Sequence, residues 1–449
     1  MSLGNAELRN LWPRPGMLGA GRQGTGLIGR FAAGENSWLW ESAASRLTVR
    51  GVGDPLWWLA RWHSETKRRF PSAGMIGYIA YELAYPLLGL TLPGSAARET
   101  LRYPLIQFLV YERLDECDSR PSGLSRPPAR AYDQAESRAL IGRPTVRAMT
   151  DASRYRDDVR RIKAHIAAGD IYQANYTQAF DVATALSPAA AAARIRAINP
   201  APYSAHLNFG PVAVADPAGY RSAFPEIDIL ASTPELFWRK RGREVETRPI
   251  KGTIARSSDP SLDRANLRRL ITSPKDQAEL LMITDLERND LGKVARVGSV
   301  CTRMLRRPRA APSVWHLEST VTGTIAADCD WTDVMRATFP GGSITGAPKR
   351  RAVEILRDLE SIPRGAYCGA IGWVDAAGDA EFALGIRTIV QIGSVVRVFG
   401  GGGIVADSDP ESEYDESLVK IAPILDALTR DDESHQPPEH QSALSTAHS

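Results

Sequence analysis

Beyond residue 150 the chain alternates helical segments with short strand-like runs, and this alternation constrains its fold more than any other feature. In RYRDDVRRIKAHIAAGD, residues 154–170, Val159, Ile162 and Ile166 recur near helical spacing and Gly169 supplies a stop. SPAAAAARIRAI, residues 187–198, reads as an alanine-rich helix opened by a Ser-Pro pair. SVVRVFGGG and GAIGWVD read as strands, and no repeat of fixed period links the segments. Strand runs clustered between helices predict an α+β class, with a sheet core covered by helices.

With 449 residues, 43% of them hydrophobic, the chain can bury a large core. Residues 118–150 mix proline, arginine and small polar residues without periodicity, which predicts a connecting segment between an N-terminal region, 1–117, and a C-terminal region, 151–430. Residues 431–449 lack the apolar content to offset ordering, so a disordered tail is expected there. Fifty-five basic against 52 acidic side chains leave a formal charge of +3, too small a surplus to point to nucleic acid or an acidic membrane surface. Cys117, Cys301, Cys329 and Cys368 show no CxxC spacing, which argues against a zinc cluster or a disulfide framework and fits a reducing cytoplasm. The first residues lack a signal-peptide pattern and no run approaches the ~18 apolar residues of a membrane span. A soluble, cytoplasmic protein is the expectation.

Two acidic segments share one design. In SPKDQAELLMITDLERNDLG, residues 273–292, Ser273 is a candidate N-cap, Pro274 falls in the first turn, and Asp276 and Glu279 lie three apart on one helix face. Leu281, Ile283 and Leu286 would anchor this helix in the core. In GGGIVADSDPESEYDES, Ser408, Asp409 and Pro410 open a second helix on which Glu413 and Glu416 are again three apart. Four converging carboxylates repel one another unless a hard cation such as magnesium neutralises them. Two solvated helix starts, favoured by the helix dipole, account for the same spacing.

Glycine marks further positions. TFPGGSITGAPKRRAVEIL places Gly341 and Gly346 at P-loop separation, but Ala347 and Pro348 stand where that motif needs Lys and Ser/Thr, so a nucleotide loop is excluded. The run Gly400–Gly403 reads as a tight turn ahead of the second acidic helix. Arg387, in the strand-like run ALGIRTIV, is either an ion-pair partner or a clamp for a carboxylate, and His316 is either a satisfied core histidine or a site residue. In ETRPIKGTIARSS, Lys251 is wedged between an apolar residue and a glycine, a setting suited to an amine held out of water. Glu235, in STPELF, taken alone reads as a solvated strand end.

Together PIKGT, KDQAELLMITDLERNDLGKVARVGSV, HLESTVTG, TFPGGSITGAPKRRAVEIL, YCGAIGWV, FALGIRTIV and GGGIVADSDPESEYDES resemble the chorismate-utilising enzyme family, in the family's order, from about residue 151 to 428. Within the family the resemblance points to the aminodeoxychorismate synthase component I branch, and SWLWESA and GMIGYIAYELA extend it more loosely into the N-terminal third. It implies a single large fold of the anthranilate synthase component I kind, two stacked β-sheets flanked by helices, so the transition near residue 150 need not divide domains. A magnesium site is implied, with Glu279 and Glu416 as direct ligands and Asp276 and Glu413 acting through water. Arg387, Tyr367 and the backbone amides around Gly402 and Gly403 are implied to receive the enolpyruvyl carboxylate of chorismate, with His316 and Thr345 lining the pocket.

The same resemblance gives Lys251 the role of covalent nucleophile, at a position where anthranilate synthases usually carry alanine, and Glu235 that of general acid. Gln173 stands where water-adding relatives carry a lysine base, which weighs against isochorismate or salicylate synthesis. Ser204, where anthranilate synthases often carry methionine, points the same way, and Glu41 and Ser42 resemble part of a tryptophan pocket. No cysteine sits in a glutaminase-type elbow. Ammonia is therefore implied to come from solution or from a separate glutaminase subunit, component II, and the product is implied to be a folate precursor. Anthranilate synthesis is the first alternative, and a non-catalytic chorismate-binding subunit the second.

Overall fold

The computed structural model describes residues 18–20, 27–33, 38–42, 47–51, 53–91, 104–111, 114–116, 145–215 and 221–430. Most of the connecting segment and all of the expected tail lie outside the described residues, as do the side chains of Glu41 and Ser42.

The β-forming runs assemble into two large antiparallel sheets. The larger has twelve strands. Its order runs from Ile250–Ala255 through Val314–Thr324, Glu244–Arg248, Leu236–Arg241, Ala380–Leu384, Ala370–Asp375, Gly74–Ile79, Ile106–Tyr111, Leu27–Ala33 and Trp38–Ser42 to Leu47–Gly51, with Cys301–Ala310 also paired to Val314–Thr324. Gly77 lies opposite Gly372, so strands from the two ends of the chain are hydrogen-bonded neighbours. The second sheet has seven strands: Tyr203–Phe209, Ile227–Thr233, Thr388–Ile392, Val395–Ile404, Gln173–Ala183 and Gly346–Ala347 in order, with Thr145–Ala148 also on Gln173–Ala183.

The inner faces of the sheets meet in one core. Tyr78 of the larger sheet and Phe209 of the smaller touch edge to face, 5.4 Å between centroids. Phe382 packs against Phe108, Trp238 and Trp331, and all four rings are buried. Phe382→Ala removes the ring that these three share, and is expected to cost about 3–5 kcal/mol, read as a fall in the denaturant midpoint. The outer face of the smaller sheet carries helices. Ala152–Ala167 and Lys349–Leu359 lay Val159, Ile162, Ile355 and Leu356 on Tyr176 and Ile404, while Pro188–Ile198 and Pro410–Thr429 lay Ile195, Ile421 and Leu428 on Leu230 and Val398. This is the α+β arrangement of stacked sheets and flanking helices expected from the sequence.

At two adjacent places the chain crosses from one sheet to the other. Residues 234–235 join Ile227–Thr233 to Leu236–Arg241, and residues 385–387 join Ala380–Leu384 to Thr388–Ile392. The crossovers run side by side: the Leu384 N–H donates to the Glu235 carbonyl at 3.2 Å, and the Ser232 N–H donates to the Arg387 carbonyl at 3.2 Å. Two expectations are corrected here. Arg387 is not within a strand but in the second crossover, at a φ of +51°, because the backbone must turn there to change sheets. Gly400–Gly403 is no tight turn, since it continues the strand Val395–Ile404 in register with Gln173–Ala183.

Candidate active site

The glycine after Lys251 explains the lysine's setting. Gly252 adopts a φ of +76°, and the register against Val314–Thr324 slips between Lys251 and Thr253. A Cβ at residue 252 would stand 3.0 Å from atoms of both Asp276 and Leu270, so only glycine lets this bulge lie against the first acidic helix, Pro274–Gly292. Lys251 is partly buried. Burial pushes its pKa down, which outweighs the opposing fields of Glu279, Glu235 and Glu416, and Lys420 reinforces the depression.

Both acidic helices start as the sequence predicts. Ser273 Oγ accepts from the Asp276 N–H at 3.3 Å, and Asp409 Oδ1 accepts from the Ser412 N–H at 2.9 Å. The anchoring of the first helix is different from that expected. Leu281 is 47% exposed and Leu286 only partly buried, while the inward stripe consists of Leu280, Ile283, Thr284, Glu287, Asp290 and Leu291. Glu287 and Asp290 on that stripe find partners on other elements, which a reading of one helix does not reveal.

Carboxylates of both helices face Lys251. Glu413 is buried, which raises its pKa, and it accepts a hydrogen bond from Ser408 Oγ at 2.6 Å. Glu416 is more exposed and pairs with Lys420 at 2.7 Å; partial burial opposes its ionisation, but Lys420 and Lys275 prevail and hold its pKa low. Over Gly402, Glu413 Oε2, Lys420 Nζ and Glu416 Oε1 come within 3.2, 3.4 and 3.9 Å of the point a Cβ would occupy, so the bare backbone leaves room for these carboxylates and the amine between them. Hard carboxylate oxygens of this kind suit magnesium, which often takes only one or two protein carboxylates. Among the described residues no three acidic, histidine or cysteine side chains converge as a coordination group, so Asp276, Glu279, Glu413 and Glu416 are not gathered into one closed protein cage.

Glu235 occupies the first crossover and is 4% exposed, not solvated as its sequence context alone suggests. Burial pushes its carboxyl up to about 7; a hydrogen bond from Ser343 Oγ to Oε1 at 2.6 Å and the charge of Lys251 resist this, and Glu287 adds to it. Arg387, in the second crossover, donates through Nη1 to the neutral Asn199 Oδ1 at 2.6 Å. Burial alone lowers its pKa, with no carboxylate offsetting it among the described residues. Its neighbour His316 is 2% exposed, with Nδ1 and Thr253 Oγ1 2.9 Å apart and a buried Nε2 that has no partner. Burial and then Arg387 push its pKa down to about 4, leaving a neutral imidazole at pH 7.

Tyr367 is buried and stacks on Phe399 at 4.7 Å. The Thr345 hydroxyl is occupied with the Gly341 carbonyl at 2.8 Å, so it ties its own loop together. Beside Gly403 lies the buried amide of Gln173, whose oxygen and nitrogen both lack partners. Sequence reasoning missed Lys420, Lys275, Ser343 and Glu287. The signal for Glu287 was its place four residues after Ile283 and eight after Glu279, on the inward stripe of the helix.

The sequence matches the chorismate binding enzyme family over residues 35–426. Anthranilate synthase component 1 of Streptomyces coelicolor is 36% identical over 390 residues, covering 80% of this chain and 73% of its own. Aminodeoxychorismate synthase component 1 of Bacillus subtilis is 32% identical over 410 residues, covering 85% and 83%. The crystal structure of anthranilate synthase component I from Streptococcus pneumoniae TIGR4 superposes with a TM-score of 0.71 at 22% identity, over 93% of each chain, and so shares the fold. A family match across most of the chain, relatives at these identities and a shared fold agree that this protein belongs to the chorismate binding enzyme family and is a chorismate-utilising enzyme.

Proposed function

We propose that the chain is component I of an aminodeoxychorismate synthase, replacing the ring hydroxyl of chorismate by ammonia to give 4-amino-4-deoxychorismate. The observation that carries this reading is a lysine with depressed pKa beside a glutamic acid with raised pKa in one site. The neutral Lys251 amine bonds to the ring, the double bonds shift, and the hydroxyl leaves as water with the proton of Glu235. Ammonia then bonds at the vacated carbon, the double bonds return, and the lysine departs as an amine. Whole-chain identity to the two kinds of relative is too similar to choose between them, and Lys251 and Ser204 favour this branch.

Arg387, short of a carboxylate partner, suits the enolpyruvyl carboxylate, and Tyr367 and the backbone amides at Gly402 and Gly403 would share that role. Arg387→Ala is expected to raise KM for chorismate about 10- to 100-fold with little loss of thermal stability, checked by steady-state kinetics and melting curves. Glu279 and Glu416, with Asp276 and Glu413 behind them, would hold magnesium, which would supply positive charge for the ring carboxylate. Neither Cys368 nor Cys329 resembles a glutaminase nucleophile: burial pushes Cys368 up to about 12 and raises Cys329 as well. Ammonia from a separate glutaminase, component II, in a cytoplasmic folate route completes this reading. No described helix is long and apolar enough to cross a membrane.

Product identification from chorismate, an ammonium salt and magnesium tests the proposal. Aminodeoxychorismate without pyruvate supports it. Anthranilate with pyruvate transfers the chain to the alternative branch, and the absence of any chorismate consumption leaves only a binding subunit.

A further inference from the structure

We infer that Glu287 is a positioning residue for Glu235, acting through the turn at Gly342 and Ser343, and that its buried negative charge helps to hold the proton on Glu235. The inference rests on Glu235 acting as the acid, as proposed above. Glu287 is 2% exposed on the inward stripe of the helix Pro274–Gly292. Its Oε1 accepts from the Gly342 N–H at 3.1 Å, and its Oε2 accepts from Thr247 Oγ1 at 3.3 Å. The next residue in the turn, Ser343, donates to Glu235 Oε1. Two consecutive residues thus bind two buried carboxylates, and a shift of one carboxylate moves the donor of the other.

The surrounding charges set the direction. Glu287 faces Lys349 from the helix Lys349–Leu359 and Asp290 from its own helix, with Thr247 and Gly342 as donors. The Lys349 amine is already bonded to Asp290 and to the Thr338 carbonyl, so it neutralises Glu287 only in part. Glu235 faces Lys251 from its strand, Ser343 from the turn, the backbone of Ile250, and Glu287. Burial raises both carboxyls to about 7, and like charges at such a pair make the second proton harder to remove than the first. Glu287, held by the Gly342 N–H and Thr247 Oγ1, makes the proton of Glu235 harder to remove whenever it is ionised.

The test is the pH dependence of kcat/KM for chorismate at constant free ammonia, in the full chain and two variants. Glu287→Gln keeps an acceptor for the Gly342 N–H but loses the charge, so the alkaline limb should move to lower pH by on the order of one unit. Ser343→Ala removes a bond that favours ionised Glu235, so the limb should move to higher pH. A packing defect would lower rates without opposite displacements. Should Glu287→Gln fail to fold, Thr247→Val, which removes one donor to Glu287, should shift the limb to lower pH by a smaller amount. An alkaline limb that stays in place in the Glu287 or Thr247 variant overturns the inference, as does displacement of both limbs in one direction. Wild-type protein that consumes no chorismate at any pH overturns the proposed function instead.

Discussion

Lys251→Ala is expected to lower kcat/KM for aminodeoxychorismate formation by on the order of 10³-fold or more while chorismate still binds, because it removes the group that bonds to the ring and none of the charges proposed to hold the substrate. Lys251→Arg should be equally inactive, since a guanidinium does not shed its proton and cannot attack. The bulge at Gly252 is set by the glycine backbone, so Lys251→Ala should lose little stability, whereas Lys251→Arg forces a permanent charge into a site whose burial disfavours one and should melt lower. Rapid-quench mass spectrometry should find a ring adduct on residue 251 in the wild type and none in either variant, with chorismate affinity from calorimetry changed only slightly. Full turnover by Lys251→Ala would reduce this lysine to part of the scaffold.

Glu235→Gln is expected to lower kcat about 10²- to 10⁴-fold, the usual range for loss of a general acid. Wild-type activity should fall on the alkaline side as Glu235 loses its proton near a pKa of about 7, while the lowered pKa of Lys251 extends the neutral amine toward lower pH. The variant should lose that Glu235 limb. Its stability should change in the opposite sense to its activity. Glu235 has a higher pKa folded than unfolded, so the folded chain binds more protons and loses stability as pH rises through about 7. An uncharged glutamine escapes that loss, so on the alkaline side of neutrality Glu235→Gln should melt at a higher temperature than the wild type. A variant both inactive and less stable there would point to a structural role.

The features legible in the sequence were local ones. Ser273 and Asp409 announce helix starts, and Asp276, Glu279, Glu413 and Glu416 sit at helical spacing, because capping and an i,i+3 relation depend on only a few neighbouring residues. The resemblance to chorismate-utilising enzymes brought the separate motifs together and gave the stacked-sheet fold. Arg387 and Glu235 were harder to place, since a strand-like run does not reveal that the chain is about to change sheets, and each side chain's burial depends on the neighbouring crossover. Leu281 was misplaced because the helix carries apolar residues on more than one side; its orientation is set by Lys349, Gly342 and Thr247, which lie far away in sequence. The Gly400–Gly403 run looks like a turn by composition, yet pairing with Gln173–Ala183 keeps it extended.

The side-by-side crossovers also bear on what survives damage to the chain. Glu235 and Arg387, the proposed acid and carboxylate clamp, sit on separate links, each with one foot in either sheet, and each link holds the other in place. A protease cut that lets one sheet slide would pull both groups out of register together, so clipped enzyme should be silent and should not release half-processed ring.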